Sequence, residues 1–288
     1  MMVHSNSFNS GARPTAGYLF SLLAFLLLLS MASVVIVHPV LGRLMEESYA
    51  KYAAMTLDSL AMFALPARLV EYYYRRSRME SVWRLDWRDV IRNNVGWTLL
   101  LMVLGLGISL TLESMMRSLP VPDLFAEMEA IMSREYEALL SEKRWGARLL
   151  IYIGTIVVAP FSEELLFRGG LQGWLLSKTR NPHVAVWLTA FIFGAIHLQW
   201  TGFPSRMALG ALLGYTALYG GLWLAILFHL LNNLMVFVIG DRLVAFDWGV
   251  GTLILLAVLS LVAAVVLQRM RRTASGVASN VMSVEDKG

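Results

Sequence analysis

Runs of about 20 apolar residues recur along this chain, each long enough as a helix to cross a hydrocarbon core of roughly 30 Å. They account for an unusual composition: of 288 residues, 57% are hydrophobic and only 15% charged. A soluble domain of this length carries nearer a quarter charged residues. The expectation is therefore an all-α, polytopic transmembrane helix bundle of about eight spans. They fall near 18–38, 51–74, 94–116, 147–176, 184–200, 205–219, 222–240 and 246–268. The first apolar stretch, Tyr18 to Val37, follows a polar leader at 1–17 that contains Arg13. It is longer than a signal-peptide core and has no small-x-small cleavage site, so it reads as a retained anchor.

Charge sets the expected orientation. Arg75, Arg76, Arg78, Arg84, Arg88 and Arg92 fill one loop; the segment 168–183 adds Arg168, Lys178 and Arg180, and Arg269, Arg271 and Arg272 follow the last span. Eight spans put these regions and Arg13 on one side, and the positive-inside rule then makes both termini cytoplasmic. The stretch 117–146 on the other side is acidic, with Asp123, Glu127, Glu129, Glu135, Glu137 and Glu142. The net charge of +4 resides in loops and helix ends, which suits anionic headgroups. No basic face on a folded module is visible, so the bilayer, not nucleic acid, is the expected partner. Trp83, Trp87, Trp145, Trp200 and Trp248 sit near the expected water interfaces.

Within the acidic stretch, Pro122 and Asp123 resemble a helix start, and Phe125, Met128, Met132 and Leu139 recur at helical spacing. This predicts an amphipathic helix near 122–142, read as a packed connector. The organisation expected is a leader at 1–17, spans with that helix over 18–146, a polar-bearing core at 147–240, a last span within 241–272 and a polar tail at 273–288. There is no internal repeat. Cysteine is absent, which excludes disulfides, thiol nucleophiles and thiolate metal sites.

Ionisable groups inside spans are costly and need a reason. The densest set is Glu163-Glu164-Leu165-Leu166-Phe167-Arg168. Glu164 and Arg168, four apart on a helix, share a face and can pair. Glu163 turns about 100 degrees away, outside that pair. A carboxylate in a low-dielectric site is suited to general acid or base work. His197 ends the run Phe193-Gly194-Ala195-Ile196-His197. If the helices holding Glu163 and His197 form a hairpin about the turn Ser177–Pro182, both residues lie 17 positions from Arg180. They would then share a depth of roughly 20–25 Å along their helices. The third set is His229 to Asn233: His229 and Asn233 share a face and suit an oxyanion, whereas Asn232 is turned toward interhelical bonding. Asp58 and Glu113 lie toward span ends, and His4, His38 and His183 at ends or in loops, so these are outside the candidate site.

Glu-Glu-x-x-x-Arg, Phe-x-x-x-His and His-x-x-x-Asn, in that order on separate spans, resemble the CAAX protease and bacteriocin-processing family (CPBP, or Abi). Its eukaryotic members include the type II CAAX prenyl endopeptidases. The resemblance covers roughly 147–240. It implies an intramembrane endopeptidase in which Glu163 and His197 activate a water, His229 and Asn233 stabilise the oxyanion, and Glu164 and Arg168 support the site. The implied substrate is a membrane-associated or lipid-modified polypeptide. Two histidines and a carboxylate (Glu163, His197, His229) can also hold zinc. With no His-Glu-x-x-His present, and with a base, an imidazole and oxyanion donors already in the set, metal-independent catalysis is the expectation and zinc the alternative. A non-proteolytic immunity or scaffold protein is the competing class, with a proton-coupled transporter behind it. The lack of a transit-like leader fits a bacterial inner membrane.

Overall fold

The computed structural model describes residues 31–69, 87–243 and 250–285, with 25, 28 and 29 ahead of them. Every element among them is helical, in line with the all-α expectation. In chain order they are α1 (His38–Leu44), α2 (Glu47–Ser59), α3 (Trp87–Arg117) and α4 (Asp123–Ser141). There follow α5 (Trp145–Tyr152), α6 (Ala159–Glu164), α7 (Gly173–Thr179) and α8 (Pro182–Ala195). The last three are α9 (Phe203–Gly220), α10 (Leu222–Leu243) and α11 (Val250–Glu285). The expected leader, the start of the first span, the arginines at 75–84, Trp83 and Trp248 lie outside the described residues.

Among the described residues, three helical runs are long and apolar enough to cross a membrane: Asn94–Arg117, Trp145–Thr179 and Gly251–Ala274. Val35–Leu44, Pro182–Ala195 and Leu222–Val238 are apolar but shorter. Only 11% of the Gly251–Ala274 window is buried, and Leu261 on it is 67% exposed. An apolar surface of that extent is a liability in water and is at home in lipid. The stretch read as a polar tail is helical as far as Glu285, continuing α11. No proline follows Thr273, and polarity alone does not stop a helix whose propagation is cooperative.

The chain divides into two compact units: Met1–Arg84 with Glu142–Lys178, and Leu85–Ser141 with Thr179–Gly288. The first is organised on the run that begins at Trp145. Pro160 lacks an N–H and would clash in a regular helix interior. It falls at the start of α6, directly after π-helical Ile153–Val158, where the ladder is already loosened. Gly154 brings α2 close, since a methyl there would lie 2.5 Å from Thr56 Oγ1. Ahead of α5, Arg144 bonds Glu142 at 2.8 Å and also pairs with Glu46. The Arg144 side chain holds the Glu142 carboxyl down to about 2. Asp58 accepts from Ser33 and contacts His38 Nε2 at 3.0 Å.

The second unit holds a core in which Leu101 and Met102 of α3 meet Leu213 of α9, Phe228 of α10, and Val266 and Met270 of α11. The α9–α10 link turns at Gly221, whose φ of 94° suits glycine and strains other residues. α8 packs on α9 through small residues, as membrane helices do. A methyl at Gly210 would come within 3.1 Å of Ala190 Cα and 3.2 Å of Phe193 Cδ1. Gly210→Leu is therefore expected to destabilise the protein by about 1–3 kcal/mol through overpacking. Thermal unfolding in detergent measures this, and an unchanged midpoint would contradict the close approach.

Candidate active site

In the first unit, Glu164 and Arg168 lie on either side of the junction between α6 and π-helical Leu165–Gln172. Both side chains are fully buried, and the Arg168 guanidinium donates to Glu164 Oε1 at 2.6 Å. The pairing expected from their spacing is present. The Arg168 charge is also within electrostatic reach of Glu163. A delocalised cation on a long side chain acts beyond its direct hydrogen bond. Glu163 is half-buried, whereas Ser162 beside it is buried and donates to the Val158 carbonyl. Behind Arg168, the Phe167 ring packs at 6.1 Å from that of Phe63.

In the second unit, α8 begins at an Asn181 cap whose side chain accepts from the His183 and Val184 N–H groups. Arg180 before it adopts a φ of 52°, so the expected turn is there. The helix stops at Ala195, which corrects the placement of His197 inside a span reaching residue 200. The backbone reverses at Leu198, with a φ of 55°, and His197 falls in the turn after the helix. Its imidazole is still tied to the helix, because Nδ1 donates to the Phe193 carbonyl at 2.7 Å. A carbonyl accepts only, so Nδ1 carries the proton and Nε2 keeps its lone pair in the neutral ring.

Phe193 ties the two histidines together. Its ring stands edge-on to His197 at 5.1 Å and to His229 at 5.8 Å. His229 is buried in α10, with Asn233 one turn further on. Asn232, expected to bond another helix, instead donates to Asn233 Oδ1 at 3.5 Å. The structure thus gathers Glu163, Glu164 and Arg168 in one unit, and His197, His229 and Asn233 in the other. Among the described residues, no three histidine or acidic side chains gather into a metal-binding group.

One contact escaped sequence reasoning. Glu129 of α4 accepts from the Trp200 N–H at 2.7 Å, from the Thr201 N–H at 3.4 Å and from the Thr201 hydroxyl. Phe125, one turn earlier, stacks on Trp200 at 5.1 Å. Trp200 is consequently a packed residue. Nothing in the sequence separates Glu129 from the other acidic residues of its helix.

The fold and these side chains define a class: a helical membrane protein with carboxylate, imidazole and amide groups brought onto apolar helices. Residues 145–235 match the family model described as type II CAAX prenyl endopeptidase Rce1-like. That segment, just under a third of the 288 residues, contains all three motifs, and their resemblance to CAAX-type membrane proteases is thereby shown. No curated protein and no solved structure matches the chain.

Proposed function

We propose that this protein is an intramembrane endopeptidase that hydrolyses a peptide bond in a membrane-associated or lipid-linked polypeptide, without a metal. The observation that carries the reading is the Nδ1 bond from His197 to the Phe193 carbonyl, which keeps the Nε2 lone pair available. On this reading Glu163 takes a proton from water as its oxygen attacks the peptide carbonyl, and His197 orients that water. The C–N bond breaks as the proton passes to the leaving amine. Negative charge developing on the carbonyl oxygen meets His229 and Asn233, preset donors in a water-poor setting where such bonds are worth most. Glu164 and Arg168 neutralise each other and hold the first motif in place.

Zinc on Glu163, His197 and His229 is the alternative for the same donors, and a His197 oriented by a backbone carbonyl suits a ligand as well as a base. The metal-free reading is preferred because the set already contains every group the hydrolysis needs. A topology of about eight spans, both termini cytoplasmic, belongs to this proposal and rests on the arginine distribution. The test is cleavage of a prenylated, fluorescence-quenched peptide by protein in vesicles. Wild-type protein should cut it, and His197→Ala should lose about 10²–10⁴-fold in rate. Chelator should leave the wild-type rate unchanged. Loss on chelation restored by zinc would overturn the metal-free mechanism, and full activity in His197→Ala would overturn the site.

A further inference from the structure

The connection between α8 and α9 carries His197 on a strained path. The His197 and Leu198 N–H groups reach back only to Gly194 (3.4 Å) and Ala195 (3.1 Å), and Leu198 is left-handed. For a non-glycine residue that conformation is strained. Such a turn persists only when its surroundings over-determine it. The bracing comes from α4, far away in sequence. We propose that Glu129 is a positioning residue for the His197 imidazole, with Phe125 as its apolar counterpart.

The Glu129 carboxylate receives two successive backbone N–H groups and one hydroxyl from residues three and four places beyond His197. Bonds to a charged acceptor are roughly twice as strong as neutral ones. The N–H groups belong to the approach to α9, an 18-residue helix, whose positive end favours a carboxylate. Phe125, on the same face of α4, closes over the Trp200 ring. At its other end the turn is fixed by the Phe193 carbonyl and by Gly194, where a methyl would meet Met207 N and Phe203 O, each at 3.2 Å. His197 is thus suspended between two anchors. α8 supplies one and α4 supplies the other. Removing the α4 anchor lets the turn relax, and a displacement of about 1 Å at a reacting group costs on the order of 10²-fold in rate.

This inference rests on the endopeptidase reading, and the same prenylated peptide in vesicles tests both separately. Glu129→Ala should lower kcat about 10–100-fold while KM stays within about twofold. Glu129→Gln, which keeps one acceptor oxygen, should fall between it and wild type. Glu127→Ala, an exposed carboxylate on the same helix, should match wild type. If Glu129→Ala also melts early, Glu129→Gln decides: lower kcat at an unchanged melting temperature supports the inference, and wild-type kcat overturns it. A change confined to KM would make Glu129 a substrate contact and overturn it too. Wild-type kcat in Glu129→Ala beside a dead His197→Ala removes the positioning role alone. Activity in His197→Ala, or no cleavage by wild type, removes the function beneath it.

Discussion

Glu163→Gln is expected to reduce peptide cleavage by about 10²–10⁴-fold while leaving the amount of folded protein unchanged, the loss typical of removing a general base. The substitution keeps the shape of the side chain and removes its basicity together with its charge. Glu163 is half-buried, so its amide is tolerated without a large desolvation cost. Glu163→Ala should be equally inactive, because the missing function is proton transfer and not packing. Product release from the prenylated peptide in vesicles, beside a melting curve for each variant, separates chemistry from folding. Near-wild-type cleavage by either variant would remove Glu163 from the mechanism. Inactivity accompanied by collapse of the fold in both would reassign it to structure.

Arg168→Met is expected to destabilise the protein by about 3–5 kcal/mol, the cost of leaving a buried partner charged and uncompensated. Both side chains of the Glu164–Arg168 pair are wholly out of solvent, so no water can replace the lost guanidinium. Adding Glu164→Gln should recover much of that loss, because a neutral pair no longer carries an isolated charge. Unfolding in detergent by heat or denaturant compares the three proteins. If the double variant is no more stable than Arg168→Met alone, the two residues do not act as a pair. The double variant also tests whether the pair matters to cleavage beyond holding the helix.

Much of the helical layout is legible from apolar run length, because a membrane span needs length and hydropathy and little else. The ends of helices are less so. His197 reads as lying inside an apolar span that reaches residue 200, yet the helix ends at Ala195. Leu198 then turns left-handed, which no local pattern announces. The Glu164–Arg168 pair is visible because its spacing is local. Glu129 is invisible for the opposite reason: its partners are 71 and 72 residues away and are mostly backbone groups, which look alike in every sequence. Asn232 is a different case, since its partner is the side chain of the next residue. Polarity in a span announces that a partner exists but does not say which one.

The acceptor that fixes His197 is a main-chain atom, so side-chain exchange at position 193 leaves it in place as long as the helix stays wound. Its vulnerability is fraying. Terminal turns open at lower free energy than helix interiors. Opening the last turn of α8 frees the ring to move its proton between nitrogens while nearly all of the helical content persists. Inactivation on warming or in harsh detergent would then be an early, local and reversible event, distinct from denaturation.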